Sequence, residues 1–345
     1  MTPGPYPAVN FYLMDQVALI GPRDGNSLKW HILYNEKNNL LIERTFYVYC
    51  ETPEIEQFIG SYRNRSNLIF IPESDLLSAE IWPNKWIYQQ LLKLSVDKLR
   101  DSHDLSELFL FTDVDTIPFK EISEKDLFHN GEPVFYISTE HEAPVLSREF
   151  QSPVNKVPLH QNYLEWHYAM SWTTWDLLGI KSENKISAID ACVLWSQRVM
   201  KKLKRHIEDI SGLPWQESVL NSLVKFFSSH RNHFIKQDGF RDISFTAQEV
   251  QNLNNTVPLN ELINNVRLGF SEWQLYAHFM TFIHKNSKAW IGQMGRHPKP
   301  HIGEFNTANS SNDELINILK NGGHPSFIYF YPGIDSAGEV LESHF

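Results

Sequence analysis

The chain contains 345 residues, of which 42% are hydrophobic and 21% are charged. This composition is typical of a globular protein with a sizeable core, and it excludes a disordered, collagen-like or coiled-coil chain. The formal net charge is −10 at pH 7. Because proteins that bind nucleic acids usually carry a net basic surface, we expect no nucleic-acid partner.

Cysteine content and the amino terminus bear on the cellular location. Cys50 and Cys192 are too few for a disulfide framework or a thiolate metal site. The amino terminus lacks a basic region followed by a long apolar region, and no stretch of about 18 apolar residues occurs. We therefore expect a cytoplasmic protein without a signal peptide or a membrane-spanning helix.

Strands are predicted at regular intervals in the first third of the chain. They lie at Ala8–Leu13 or Gln16–Ile20, then at Thr45–Tyr49, Leu68–Ile71 and Leu108–Thr112. The last of these is a continuous apolar run, which suits a strand buried on both faces. Alternation of such runs with helical patterns is typical of βα units and predicts an α/β fold with a largely parallel sheet.

Two helices are predicted between these strands. One begins at Pro53, with Thr52 as its N-cap. The other spans Asn84–Arg100, where Ile87 and Leu91 belong to an apolar series at helical spacing.

The second half of the chain gives weaker patterns. Strands are predicted at Val134–Ser138 and Phe327–Tyr331, and helices at Ala188–Ile210, Ser271–His284 and Asp313–Lys320. No linker rich in proline, glycine and serine separates two domains. We expect a single domain, 1–345, with one lobe at about 1–135 and a second lobe with a C-terminal extension at about 136–345.

An acidic pair follows the most apolar predicted strand. In extended chain, residues two apart point to the same side, so Asp113 and Asp115 project together. Ligands of open α/β sheets bind at the carboxyl ends of the strands. Two carboxylates beside a phosphate-bearing ligand can hold Mg²⁺ or Mn²⁺. The alternative is a solvated loop that carries two acids.

With this motif the chain resembles glycosyltransferases of the GT-A type, which have an Asp-x-Asp motif. Three segments resemble more narrowly a bacterial family of predicted surface-polysaccharide glycosyltransferases: Trp86–Leu94, Thr112–Thr116 and Ser271–Tyr276. The resemblance implies a GT-A-like fold with a mixed, mostly parallel sheet flanked by helices. It also implies metal-dependent transfer of a sugar from a nucleotide diphosphate donor, such as a UDP-sugar, to an acceptor hydroxyl. The implied partners are this donor and a glycan or lipid-linked acceptor.

The resemblance also implies roles for individual residues. Asp113 would contact the donor and, with Asp115, serve the metal ion, which offsets charge on the leaving diphosphate. Such enzymes frequently add a late histidine as a ligand. We assign this role to His301, with His284 and His297 as the alternatives.

Other candidates come from local patterns. Glu272 is a candidate catalytic base, although it also fits a capping position after Ser271 at a helix start. Further candidates for donor binding lie in a predicted loop and on the predicted pre-strand helix: Arg23, Asp24, Gln90 and Lys93.

Two residue groups have surface or core interpretations as alternatives. A basic run on the predicted helix Ala188–Ile210 could contact an anionic membrane, or be a solvated face. Three tryptophans could stack on sugar rings or pack in the core. The basic residues are Arg198, Lys201, Lys202, Lys204 and Arg205, and the tryptophans are Trp166, Trp172 and Trp175.

The acidic pair also fits two other classes of function. One is a metal-dependent phosphoryl or nucleotidyl transferase, or a hydrolase. The other is a protein that binds nucleotide sugars or glycans without catalysis. The anomeric outcome, inversion or retention, does not follow from the sequence.

Overall fold

The structure is a computed structural model. It describes residues 13–78, 85–118, 121–129, 132–133, 135–137, 170–180, 192–236, 269–284, 291–293, 302–306 and 327–331.

Strands are numbered in chain order. They are β1 Met14–Ile20, β2 Ile42–Tyr49, β3 Leu68–Pro72, β4 Leu108–Asp113, β5 Thr116–Pro118, β6 Phe128–His129, β7 Glu132–Pro133, β8 Phe135–Ile137, β9 Cys192–Ser196, β10 Ile291–Gln293, β11 Ile302–Asn306 and β12 Phe327–Tyr331.

The α-helices are α1 Gly25–Asn38, α2 Pro53–Gly60, α3 Lys85–Ser95, α4 Leu99–His103, α5 Glu124–Leu127, α6 at 170–178, α7 Gln197–Ser211, α8 Trp215–Lys236 and α9 Glu272–His278. Short 3₁₀ segments lie at Glu73–Asp75 and Val96–Lys98, and a π-helical turn at Phe279–His284 continues α9.

The central sheet has the order β3-β2-β1-β4-β9. Its first four strands are parallel, and β9 joins β4 in the antiparallel direction. The predicted α/β class with a mixed, mostly parallel sheet flanked by helices is therefore confirmed.

A second sheet of three strands begins directly after the acidic pair. In it, β5 pairs antiparallel with β12, and β12 pairs parallel with β11. Because β5 begins directly after Asp115, the last described strands of the chain return to the end of β4.

Alternating side chains of the sheet pack on two faces. Val17 and Leu19 of β1 belong to a core with α3, α7, α8 and α9, in which Trp195 is completely buried. Ala18 and Ile20 belong to the opposite face, with α1 and α2. This alternation follows from the two-residue period of a strand.

The predicted strands of the first third are confirmed. The first strand is the later of the two alternatives, and residues 8–12 of Ala8–Leu13 lie outside the described residues. The predicted strands at Val134–Ser138 and Phe327–Tyr331 are also confirmed, as β8 and β12.

The predicted helix starts are confirmed as well. The Thr52 side chain accepts a hydrogen bond from the Ile55 amide at 3.3 Å and caps α2. The helix predicted at Asn84–Arg100 is α3 followed by a 3₁₀ turn and the start of α4, and the helix at Ser271–His284 is α9 with its π-helical turn. The helix predicted at Asp313–Lys320 lies outside the described residues.

The predicted helix Ala188–Ile210 is wrong in its first part. Cys192–Ser196 is the strand β9, and the helix begins only at Gln197. The Ser196 side chain caps α7 by accepting a hydrogen bond from the Val199 amide at 3.3 Å. The apolar run before Ser196 is needed to cover the open edge of β4, so pairing overrides its helical spacing. The helix ends at Ser211, one residue beyond the predicted end, and Gly212 caps it with a φ of +70°.

None of the helices within the described ranges is both long and apolar enough to span a bilayer.

Candidate active site

The acidic side chains lie where parallel strands end. Leu19 of β1 pairs with Asp113 of β4, so the carboxyl ends of these two strands are neighbours. Asp24 lies in the turn after β1, directly before α1, and Asp115 follows β4. This edge of the sheet is the usual ligand-binding position in open α/β folds.

Lys93 of α3 lies at the centre of an ion-pair cluster. Its Nζ atom lies 2.9 Å from Oδ1 of Asp113 and 2.9 Å from Oε1 of Glu272. The Lys93 side chain is 4% exposed, and that of Glu272 is completely buried. The ammonium group also lies 4.9 Å from the ring centre of Trp273 and 5.8 Å from that of Phe111. Both the carboxylates and the aromatic rings attract the ammonium group at this position.

The two acids decide the charge of the buried lysine. Burial alone lowers the pKa of Lys93, but Asp113 and Glu272 together raise it above its ordinary value. Burial raises the pKa of Glu272, and the charge of Lys93 opposes this shift. Lys93 therefore stays protonated at neutral pH.

Asp115 differs from its neighbour Asp113. Its Oδ1 atom is buried and accepts no hydrogen bond within the described part of the chain. Burial raises the pKa of Asp115 well above its ordinary value, and the charges of Asp113 and Asp24 raise it further. A buried acceptor without a donor is costly. A cation at this oxygen would remove that cost, so the residues present fit a metal ion.

The described ranges contain no cluster of three His, Cys, Asp or Glu side chains suited to a metal ion. A cation at Asp115 would therefore take further ligands from a diphosphate, from water or from residues beyond these ranges. His297 and His301 lie outside the described residues. His284 lies near Lys202 and Arg198 of α7, and burial and these cations lower its pKa. His284 is therefore not brought to the acidic pair.

The other predicted donor-binding residues lie on the elements that surround the acids. Arg23 is exposed in the turn between β1 and α1. The Gly21 amide donates a hydrogen bond to Asp24 Oδ2 at 2.7 Å, which fixes that turn. Gln90 lies one turn before Lys93 on α3 and is buried.

Glu272 begins α9, and the structure supports the capping interpretation of this segment. The Ser271 side chain accepts a hydrogen bond from the Gln274 amide at 3.3 Å. The side chain of Glu272 has no exposed surface and pairs with Lys93. A general base must reach the proton that it removes, so this geometry leaves the role of base for Glu272 without support.

The basic residues of α7 differ in their burial. Lys204 Nζ lies 2.6 Å from Asp97 Oδ1, in a buried pair. Arg198 contacts Glu107 at 3.7 Å and Lys201 contacts Asp101 at 4.0 Å. Both of these cations are exposed, as are Lys202 and Arg205. No described contact tests the predicted membrane role.

Two of the three tryptophans pack in the core. Trp175 is buried there, and Trp172 packs on Phe226 with ring centres 5.3 Å apart. Trp166 lies outside the described residues.

Sequence reasoning missed a buried polar network next to the site. His31 of α1 hydrogen-bonds to the Tyr47 hydroxyl at 2.8 Å, and Gln16 donates to the Thr112 hydroxyl at 2.9 Å. Burial lowers the pKa of His31 to about 3. The signal was Gln16, a polar residue directly before the apolar run Val17–Ile20 of its strand.

Comparison with protein-family models gives a match over residues 23–291, to a family of unknown function (DUF6492). The chain belongs to this family. In this DUF6492 protein the matched range includes Asp24, Lys93, Asp113, Asp115 and Glu272 and ends before β11 and β12. No curated protein matches the chain.

Comparison with solved structures gives distant likenesses. One is to the galactosyltransferase LgtC in complex with donor and acceptor sugar analogues, with a TM-score of 0.34 and 13% identity. Another is to an active-site mutant of LgtC, with a TM-score of 0.32 and 13% identity. Each covers 61% of this chain and 70% of the other.

Proposed function

We propose that this DUF6492 protein is a metal-dependent glycosyltransferase of the GT-A type, with Mn²⁺ or Mg²⁺ as its cofactor. It transfers a sugar from a nucleotide diphosphate donor, such as a UDP-sugar, to an acceptor hydroxyl. The proposal goes beyond the family match, because that family has no assigned function.

The observation that carries the proposal is the buried Oδ1 atom of Asp115 at the carboxyl end of β4, which has no hydrogen-bond partner among the described residues. Burial raises the pKa of this carboxyl, and the charges of Asp113 and Asp24 raise it further, so three acidic side chains act on one another at one edge of the sheet. A protein retains such an arrangement at a cost in stability, which is typical of a binding or catalytic site. A divalent cation bound with a diphosphate balances this charge.

The residues of the site then have distinct roles. Asp115 binds the cation, which when present stabilises negative charge on the leaving diphosphate. Asp113 contacts the donor through the oxygen that Lys93 does not hold. Arg23, Asp24 and Gln90 are proposed to contact the nucleotide part. His301, directly before β11, is proposed as a further ligand.

The acceptor is a glycan or a lipid-linked sugar, as in surface-polysaccharide synthesis. The exposed cations of α7, among them Lys201, Lys202 and Arg205, would then face an anionic membrane surface.

Calorimetric titration of the full chain with UDP tests the function directly. We expect binding that requires Mn²⁺, with weaker binding of GDP and CDP. Failure of all three nucleotides to bind in the presence of Mn²⁺ would contradict the proposal.

Turnover assays separate the proposed function from its alternatives. Incubation with a UDP-sugar and a mixture of acceptors should yield a glycosylated acceptor and UDP. Cleavage of the diphosphate bond without sugar transfer would indicate a hydrolase or a phosphoryl transferase. Binding without any turnover would indicate a binding protein.

A further inference from the structure

We infer that Glu272 and Lys93 are positioning residues that keep Asp113 out of the coordination shell of the cation. They hold Oδ1 of Asp113, so that Asp115 is the carboxylate that takes the metal ion. The inference rests on the proposed function, because it concerns the cation of that site.

The geometry of the cluster supports this division of roles. Lys93 Nζ is 2.9 Å from each acid, and the lysine and glutamate side chains are 4% and 0% exposed. The Asp113 side chain is 25% exposed. Asp113 is thus held on its buried side and open on the other. We refer to Glu272 and Lys93 as the clamp.

The two oxygens that face this edge differ in their partners. Oδ1 of Asp113 is contacted by an ammonium group, whereas Oδ1 of Asp115 is buried without a hydrogen-bond donor within the described ranges. A cation that approached both oxygens would have to displace or face the charge of Lys93. The charge of Lys93 also acts on Asp115, but no ammonium group of the described residues contacts the Oδ1 atom of Asp115.

Removal of the clamp should therefore release Asp113 to become a second metal ligand. The double substitution Lys93→Met and Glu272→Gln removes one positive and one negative charge, so that the local net charge is unchanged. Because the charge of Lys93 also acts on Asp115, the informative quantity is the effect of Asp113→Asn in each background and not the cation affinity alone.

A double-mutant cycle measures this release. Mn²⁺ binding to the full chain with saturating UDP is followed by the electron paramagnetic resonance signal of free Mn²⁺, which needs no turnover. We expect Asp113→Asn to weaken Mn²⁺ binding by at most about 3-fold with the clamp present. Without the clamp, we expect the same substitution to weaken binding by about 10-fold or more.

A matched control comes from another buried ion pair. Lys204 and Asp97 are 2.6 Å apart, and Lys204 lies 4.9 Å from the ring centre of Trp215. The double substitution Lys204→Met and Asp97→Asn makes the same change of charge and of burial. It should leave Mn²⁺ affinity and the effect of Asp113→Asn as they are in the parent.

Equal effects of Asp113→Asn in both backgrounds would overturn the inference and leave the proposed function intact. Failure of the parent to bind Mn²⁺ with UDP would instead overturn the proposed function. If the clamp variant does not fold, the single variants decide. A loss of Mn²⁺ binding by Asp113→Asn as large as that by Asp115→Asn would overturn the inference.

Discussion

Two buried lysines of this molecule have similar surroundings and opposite electrostatics. Lys93 and Lys204 each lie on a helix, and each ammonium group is 4.9 Å from an indole ring centre. Two acids raise the pKa of Lys93, whereas burial outweighs Asp97 and lowers the pKa of Lys204. The second acid therefore changes the sign of the shift.

The comparison separates a structural ion pair from a binding site. The Lys204–Asp97 pair joins α7 to the 3₁₀ turn after α3, and both side chains are largely buried. The Lys93 cluster includes the partly exposed Asp113, and two residues later along the chain lies Asp115, whose Oδ1 atom has no hydrogen-bond partner in the described part of the structure. Because Asp113 is partly exposed, a ligand can still reach the Lys93 cluster, whereas the Lys204–Asp97 pair is closed to one.

The largest effect on stability is expected at the structural pair. Asp97→Asn should lower the free energy of unfolding by about 3–5 kcal/mol, because it leaves a buried ammonium group without its charged partner. Glu272→Gln should cost only about 1–3 kcal/mol, because Asp113 still pairs with Lys93. Urea denaturation of both variants measures the difference. Equal losses of stability in the two variants would mean that Asp113 does not compensate for the loss of the Glu272 charge.

The next largest effect concerns ligand binding. Asp115→Asn should weaken Mn²⁺-dependent UDP binding by on the order of 100-fold, because the carboxylate that binds the cation is lost. Stability of the protein without metal should not fall, since burial destabilises this carboxylate when it is charged. Calorimetry and thermal denaturation test the two statements. Asp97→Asn serves as the control and should retain UDP affinity.

Acid denaturation tests a third buried titratable group, His31 of α1. The pKa of His31 is lowered from 6.5 to about 3 by burial. Below pH 6.5 the unfolded chain binds a proton that the folded chain does not, so stability falls as the pH falls towards 3. The slope from this group is about 1.4 kcal/mol per pH unit.

Replacement of this histidine checks the assignment. His31→Gln should make the acid loss of stability less steep, as measured by denaturation at several pH values between neutrality and pH 4. An unchanged slope would show that other groups cause the loss.

The smallest effects on stability are expected from loss of the serine N-caps of α9 and α7. Ser271→Ala and Ser196→Ala should each cost about 1 kcal/mol of stability. Because α9 carries Glu272, the change at Ser271 should also weaken UDP binding a few-fold, whereas the change at Ser196 should not. Denaturation and calorimetry on both variants show whether the position of Glu272 in the clamp depends on the N-cap of α9.

The elements that sequence reasoning found are those with a simple hydrophobic pattern. Strand β4 is a continuous apolar run, and the buried positions of α3 recur at helical spacing, including Ile87, Leu91 and Leu94. Helix α1 was missed because its buried face contains Ser27, His31 and Asn35, so that it shows no apolar stripe. The long helix α8 was also not predicted.

The site was predicted in part. Position relative to β4 sufficed to select Asp113 and Asp115, since ligands bind at the carboxyl ends of parallel strands. The pairing of Lys93 with Glu272 could not be predicted, because these residues lie far apart in sequence. Only the packing of α3 against α9 brings them together. The roles of His297 and His301 stay predictions.

Pairing of β5 with β12 has a consequence for synthesis of the protein. Strand β5, which directly follows Asp115, can pair with β12 only after the ribosome has made residues 327–331. Nascent chains that already contain all four parallel strands still lack this support. We expect the ability to bind a metal ion to arise late in translation, so that a stalled or prematurely terminated product would not sequester the donor nucleotide.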